Sequence, residues 1–448
     1  MLSHSSQSIS AVLQRRAVDG IEAKLNTRLL IAVFCCGIFE GAFRKWLLPE
    51  DFPELSYFAY LSKFIAFWLI CAASTVMVAP SSVQREFKGY LQAGLALLFC
   101  GALLSASSGF SLAGAVLTVV MVVVGPVLAY MAAPRIRKAD TVTVLRWIAI
   151  MSLVPAALGL IQFDLPVTHV LNKYVGETSW SSVVTDLGRV RATGTFSFIS
   201  GMSAMAVLCV WAGLSLRTLG TIRRDKLLGI MAVLAGFTCG FAALSRGAIF
   251  MAIALLAIRL LFIGRDRQIL VLVLVGALGY GYLHLNRPTS RTELDVSLTS
   301  AVFVRHARAD SVIDRLESWF WQFSDAAASV PFGNGLGSNQ VGGQAVDRGH
   351  RALVSYEAEM ARLVAEVGLL GVLGVLSIRI GLLLALFHAW RSMADSALRD
   401  TLLLTMATIS LFFIGNTAFN HVASGFVWPV ASIALAWSAT GMASARLR

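Results

Sequence analysis

The side chains with the most chemistry to offer are one carboxylate, Glu357, and a set of cations, Arg189, Arg191, Arg246, Arg315, His350 and Arg351. Glu357 opens an apolar stretch in "YEAEMARLVAEVGLLG", and its neighbours one helical turn on are Met360 and Ala361, so no ion pair forms within its own helix. In a first turn the macrodipole favours an anion, which makes capping one reading and a proton-accepting carboxylate the other. Arg246 sits in "LSRGA" between two apolar runs with almost no connector, so its guanidinium lies at or just below a membrane boundary. There it either snorkels or binds an anion. Arg315 has Ser311, Val312, Ser318 and Trp319 at the helical neighbour positions and no acid among them, which leaves it as a solvated face residue or an anion ligand. Arg189 and Arg191 belong to "GRVRATGTFSF". Guanidinium groups make bidentate contacts with phosphate oxygens, and in a partly dry site they stabilise developing negative charge with no metal ion.

The elements that position these residues are of one kind. The chain has 448 residues, 57% hydrophobic and 14% charged, with a mean hydropathy of +0.74, far outside the usage of soluble domains. Apolar runs long enough to cross a hydrocarbon core of roughly 30 Å at about 1.5 Å per residue recur near 29–48, 57–79, 90–107, 109–133, 143–162, 195–216, 227–244, 247–263, 268–285, 358–388, 400–416 and 421–441. In hydrocarbon the backbone bonds within its own segment, so the expected fold is all-α, a polytopic membrane helix bundle of about twelve spans.

The net charge of +12 is distributed in alternation with these runs, every second connection being basic. That is a topology signal rather than a nucleic-acid footprint, and by the positive-inside rule it places both termini in the cytoplasm. The expected organisation is a cytoplasmic tail at 1–27, nine spans in 28–285, a large outer loop at 286–357, and three spans with a short tail in 358–448. The first 27 residues lack the small-residue cleavage pattern of a removed signal peptide. All six cysteines fall inside apolar runs, so neither a disulfide framework nor zinc-ligand spacing follows. Within the large loop, Val312, Leu316, Trp319, Phe320 and Phe323 recur at helical spacing and predict an amphipathic helix between Arg308 and Val330, lying on the bilayer or capping the bundle. The glycine-rich "PFGNGLGSNQVGG" that follows lacks the preceding strand and the lysine of a nucleotide-binding loop.

Further charges lie inside the apolar runs. Glu359 and Glu366 both reach Arg362 at helical spacing and predict a charge-balanced structural cluster. Glu40 and Arg44 are spaced to pair, and with Lys45 and Lys63 they read as structural or as contacts to lipid head groups. Asn420 and His421, at the outer start of the last run, are candidate substrate contacts.

Taken in order around the large loop, "RATGTFSF", "LSRGA", "RLESWFWQ…VPFGNGLGS" and "EAEMARLVAEVGLLG" resemble the bacterial O-antigen ligase and O-antigen polymerase superfamily over roughly 185–375. The resemblance implies a metal-independent, cofactor-free glycosyl transfer at the outer face of the bacterial inner membrane, with an undecaprenyl-diphosphate-linked oligosaccharide as donor. It implies membrane lipids, and a flippase and chain-length regulator of the same pathway, as partners, and no nucleic acid. Ligases of that family carry a His-Asn pair, nine residues, then Gly-x-x-Gly; here that spacing reads Glu357-Ala358, nine residues, Gly368-Leu-Leu-Gly371. The histidine position is therefore a glutamate, and His350 stands seven residues too early to replace it. Carried over, the arginine roles fall on Arg246 and Arg315 as diphosphate clamps with Arg191 as a third, while Arg189, His350 and Arg351 join as substrate-binding candidates. The chain lacks an Asp-x-Asp motif, which argues against an enzyme using metal-bound sugar nucleotides. The glutamate tilts the reading toward a polysaccharide polymerase, with a ligase to lipid A core and a secondary transporter as rivals. Twelve-span transporters usually divide six and six, whereas the large loop splits this chain nine to three.

Overall fold

Runs without charge close their hydrogen bonds locally, and in the computed structural model the described residues form helices and connecting turns with no strand. The structure describes residues 3–48, 53–72, 80–105, 112–173, 190–263, 312–338, 356, 358–415 and 420–445. In chain order the helices are α1 (Ser3–Ala42), which continues as a π-helical turn Phe43–Leu47, α2 (Pro53–Ala72), α3 (Ser82–Ser105), α4 (Leu112–Val119), α5 (Gly125–Ala132), α6 (Lys138–Met151) and α7 (Leu153–Asp164). Then come α8 (Ile199–Leu219), α9 (Arg223–Ala242), α10 (Arg246–Ile258), α11 (Val312–Ser329), α12 (Glu359–Ser392), α13 (Ser396–Ile414) and α14 (His421–Ala445).

Ten described helical stretches are long and apolar enough to cross a membrane, and Phe58–Ala72 is a shorter apolar one. Together they coincide in position with every expected span except 268–285, which lies outside the described residues. The protein is a multi-pass membrane helix bundle. Two helices form its interior: α8 is buried almost continuously from Gly201 to Leu216, and α14 is buried over nearly all of its crossing stretch. Both are apolar on every side, as a helix surrounded by other helices must be. Elsewhere the bundle turns large apolar side chains outward, among them Phe99, Leu103, Phe250 and Leu261, as a lipid-facing surface requires.

α1, α9 and α13 finish at one end of the bundle, the upper end, and α8, α10 and α14 begin there. At the opposite end, Arg146 of α6 grips the fully buried Asp225 of α9 through two bonds of 2.6 and 2.9 Å, tying α6 to the start of α9.

α12 is not one straight span. Gly368 interrupts it with φ 69° and ψ −177°, and Glu359 forms an ion pair of 2.6 Å with Arg379. Along a straight helix those residues would stand about 30 Å apart at about 1.5 Å per residue. The 359–367 segment therefore folds back beside 369–392. The backbone geometry at Gly368 belongs almost exclusively to glycine, and a Cβ there would stand 2.7 Å from the Phe332 carbonyl carbon. Residues 331–338 fill the fold: Leu369 N donates to Pro331 O (2.9 Å), Asn334 N to Ala365 O (2.7 Å) and Gly335 N to Glu366 O (3.2 Å). Gly368→Ala is expected to destabilise the protein by about 1–3 kcal/mol from backbone strain alone, read as a lower unfolding temperature in detergent. An unchanged temperature would mean that the fold-back tolerates a side chain.

The amphipathic helix expected in the large loop is present as α11. Its Trp319 and Phe323 pack on the core and Ala326 is fully buried, whereas Phe320 and Trp321 face outward. One side of α11 thus caps the bundle. Phe320, placed in the same stripe by its spacing, is displaced from that side and 65% exposed.

Candidate functional site

The site is organised by "RATGTFSF", residues 191–198, which crosses the upper end. Gln162, fully buried at the end of α7, holds this segment: its Oε1 accepts from Thr193 N (3.1 Å) and Gly194 N (2.7 Å). The segment reaches α1 closely, because at Gly41 a side chain would meet Ser197 N at 2.2 Å. Gly37, Glu40, Gly41 and Arg44 recur at helical spacing, so one side of α1 carries both the small residues that admit this approach and two charges.

Those charges belong to a buried network. Glu40 pairs with Lys63 of α2 and, through its second oxygen, with His421 Nε2 at 2.6 Å. Arg44 donates to Ser197 Oγ (2.9 Å), and its guanidinium lies 3.8 Å from the centre of the Tyr60 ring. The opposing edge of this sandwich is His421, with ring centroids 4.0 Å apart at 73° to Tyr60. Lys45 Nζ donates to Thr193 Oγ1 (2.9 Å) and Gly194 O (2.8 Å). Glu40, Arg44, Lys45 and Lys63 are all buried. The expected Glu40–Arg44 pair is corrected here: partners from α2 and α14 take the carboxylate, and Arg44 turns to the 191–198 segment and Tyr60. His421, expected as a substrate contact, is chiefly a member of this network, its side chain 18% exposed. Asn420 caps α14, its Oδ1 accepting from Val422 N and Ala423 N.

At the other end of the segment, Arg191 Nε donates to Ala243 O (3.3 Å) and Ala192 N to Ala242 O (3.0 Å). These carbonyls lie in the turn between α9 and α10, where Leu244 adopts a left-handed φ of 49°. For a branched side chain that conformation is costly and persists only when the surroundings impose it. Here Ser245 N donates to Gly240 O (3.1 Å), and the Ser245 hydroxyl caps α10 at Ala248 N. The turn presents Arg246 as the first residue of α10, and Arg246 and Arg191 are both half-buried. Two of the expected cations therefore flank one strained turn.

A second group surrounds the start of α12. Glu359 pairs with Arg379, which also donates to Phe413 O (3.3 Å). Glu366 accepts from Thr118 Oγ1 (2.8 Å) and Gly337 N (3.2 Å), and Arg362 lies within electrostatic reach of both carboxylates. The expected structural cluster is thus present and larger than its helical spacing implied. Tyr356 OH donates to Asp325 Oδ2 (2.9 Å), and Ala358 N to Gln322 Oε1 (2.9 Å). Arg315 lies in the first turn of α11. Glu357, Arg189, His350 and Arg351 lie outside the described residues.

Several partners were missed by the sequence reading. Tyr60, Thr193, Ser197, Gln322 and Asp325 are ordinary residue types that carry no signal. Gln162 and Arg379 do: each is a strongly polar side chain in an apolar run. No protein-family model matches the chain, and no curated protein matches it.

Proposed function

We propose that this protein is a glycosyltransferase of the bacterial inner membrane that polymerises lipid-linked oligosaccharide repeat units into surface polysaccharide at the periplasmic face. The observation that carries the proposal is the placement of Arg191 and Arg246 on either side of one strained turn, next to a buried network rich in cations. Guanidiniums fixed before the reaction stabilise a departing diphosphate without reorganising. In this reading Arg246 and Arg315 clamp the undecaprenyl diphosphate, Arg191 supports them, and Glu357 is the general base. The bond between the sugar C1 and the diphosphate oxygen breaks, and its electron pair leaves with the diphosphate. The acceptor hydroxyl oxygen bonds to C1 and its proton passes to the Glu357 carboxylate. Arg189, His350 and Arg351 serve as contacts to the oligosaccharide.

The test is purified protein with an undecaprenyl-diphosphate-linked repeat unit and no nucleotide sugar. Chain growth is expected. Transfer of a single glycan to lipid A core without growth would make the protein a ligase, and solute uptake into vesicles without glycan transfer would make it a transporter. Glu357→Gln is expected to lower turnover at least about a hundredfold while donor binding persists; full activity would return Glu357 to a capping role.

A further inference from the structure

The last turn of the first membrane-crossing stretch carries two neighbouring buried cations, Arg44 and Lys45. The carboxylate closest in the chain, Glu40, is already taken: one oxygen meets Lys63 Nζ and the other meets His421 Nε2. Among the described residues, Arg44 and Lys45 form no ion pair. Their hydrogen bonds go to neutral oxygens, from Arg44 Nη1 to Ser197 Oγ (2.9 Å) and from Lys45 Nζ to Thr193 Oγ1 (2.9 Å) and Gly194 O (2.8 Å). Yet Arg44 is only 9% exposed and Lys45 2%. Arg44 Nε is enclosed with no hydrogen-bond partner, so a guanidinium with five donors is served by one bond. The network thus sets Arg44, Lys45 and Lys63 against Glu40 alone, before His421 is counted. A helix C-terminus offsets about half an elementary charge, and the rings of Tyr60 at Arg44 and Trp46 at Lys45 offset part of the rest. Positive charge remains, and a buried cation without an anion is costly in a membrane protein.

We infer that Arg44 and Lys45 form a binding site for the phosphate of a lipid. Phe43 and Leu47, on either side of the pair, are 47% and 70% exposed, as lipid-facing side chains are. The partly buried Trp46 between them donates its Nε1 to Val170 O (3.2 Å). Exposed apolar side chains and a hydrogen-bonded tryptophan at the end of a crossing stretch mark the level where acyl chains give way to head groups. A lipid at that level lays its chain against Phe43 and Leu47 and brings its phosphate to the two cations. Arginine takes two phosphate oxygens in its fork and lysine supplies a point charge to another, so adjacent cations of these two kinds suit phosphate better than a two-oxygen carboxylate. Two lipid classes carry the group: a glycerophospholipid, and the polyprenyl diphosphate carrier of the proposed reaction. Occupancy also has a consequence for the neighbouring arginine. Thr193, Gly194 and Ser197, which receive the bonds of both cations, belong to the segment that begins with Arg191 on the α9–α10 turn. A ligand that steadies Arg44 and Lys45 therefore steadies that segment.

The experiment strips the purified full chain of lipid in a neutral detergent and measures the Kd of four probes by native mass spectrometry. Phosphatidylglycerol and undecaprenyl diphosphate carry phosphate, oleate is an anion without it, and dioleoylglycerol has neither charge nor phosphate. At least one phosphate-bearing probe is expected to bind, and to bind more tightly than oleate or dioleoylglycerol. Arg44→Gln and Lys45→Gln are each expected to raise its Kd on the order of tenfold to a hundredfold. Arg44→Lys, which keeps the charge and loses the fork, is expected to raise it by a smaller factor. Sensitivity of phosphatidylglycerol binding to these variants makes the ligand a membrane lipid, and sensitivity of undecaprenyl diphosphate binding makes it the carrier; either result supports the site. Binding that is unchanged in both glutamine variants places the ligand elsewhere and overturns it. Failure of both phosphate probes to bind the wild type, or oleate binding as tightly as they do, overturns it as well. Should the glutamine variants not insert, Arg44→Lys decides, and a wild-type Kd there counts against the site. Binding is read without turnover, so a protein that elongates nothing removes the polymerase reading and leaves this result standing.

Discussion

For the proposed reaction, Arg246→Ala is expected to lower chain elongation by about a thousandfold in a protein that still inserts and folds. The size follows from where the residue stands. Arg246 opens α10 directly after a turn that forces Leu244 into a left-handed conformation, and Arg191 is anchored on the same turn through its Nε bond to Ala243 O. In the proposed reaction the constrained backbone would fix the start of that side chain before a substrate arrives, and its removal would delete stabilisation that grows as the diphosphate departs. Folding depends on it far less. The Ser245 cap and the Ser245 N to Gly240 O bond hold the turn without the Arg246 side chain. Arg246→Lys keeps the charge but not the two-pronged contact with phosphate oxygens, so it is expected to fall between the wild type and the alanine variant. The measurement is product length in the purified assay, with insertion checked by membrane yield. Wild-type lengths in Arg246→Ala would refute the clamp assignment. Arg315→Ala is expected to behave in the same way.

The spans were readable because hydrocarbon leaves the backbone no other solution, and the amphipathic α11 was readable because one of its sides must cap a core. The site was legible only in part. Helical spacing detects neighbours on the same helix, so it found Arg362 beside Glu359 and Glu366 yet wrongly paired Glu40 with Arg44. The true partners of Glu40 are Lys63 and His421, on α2 and α14, and no local rule reaches them. Arg379 shows what a further step would have recovered. A lone arginine deep in an apolar run needs an intramembrane acid, and Glu359 was an available one. Accepting that pair would have required α12 to double back, and the Gly368-Leu-Leu-Gly371 motif marks where it does. The bonds from α11 to Tyr356 and Ala358 were beyond such reasoning, since glutamine and aspartate on an exposed amphipathic helix look like ordinary solvated residues.

Lys63→Met and Glu40→Gln are each expected to cost about 3–5 kcal/mol of stability, and the double variant to cost less than either. Glu40 and Lys63 are both buried, and the carboxylate is shared between the Lys63 ammonium and His421 Nε2. Losing the lysine leaves a buried anion with the imidazole alone, and losing the carboxylate leaves a buried ammonium beside Arg44. Removing both charges leaves a neutral pair. A glutamine oxygen still accepts from His421, and a methionine preserves the lysine stem that lies across Gly425, where a side chain would meet Lys63 Cδ at 2.4 Å. Reversible unfolding in detergent, run as a double-mutant cycle, decides the matter: additive losses, or singles as stable as the wild type, would show that the pair does not hold α1, α2 and α14 together. The elongation assay on the double variant then separates two roles. A stable but inactive double variant would mean that the charges are kept for the reaction, since a neutral pair serves the fold nearly as well. A stable and active one would make the network a fastening that fixes Arg44, and through Ser197 the 191–198 segment, in place beside the arginines.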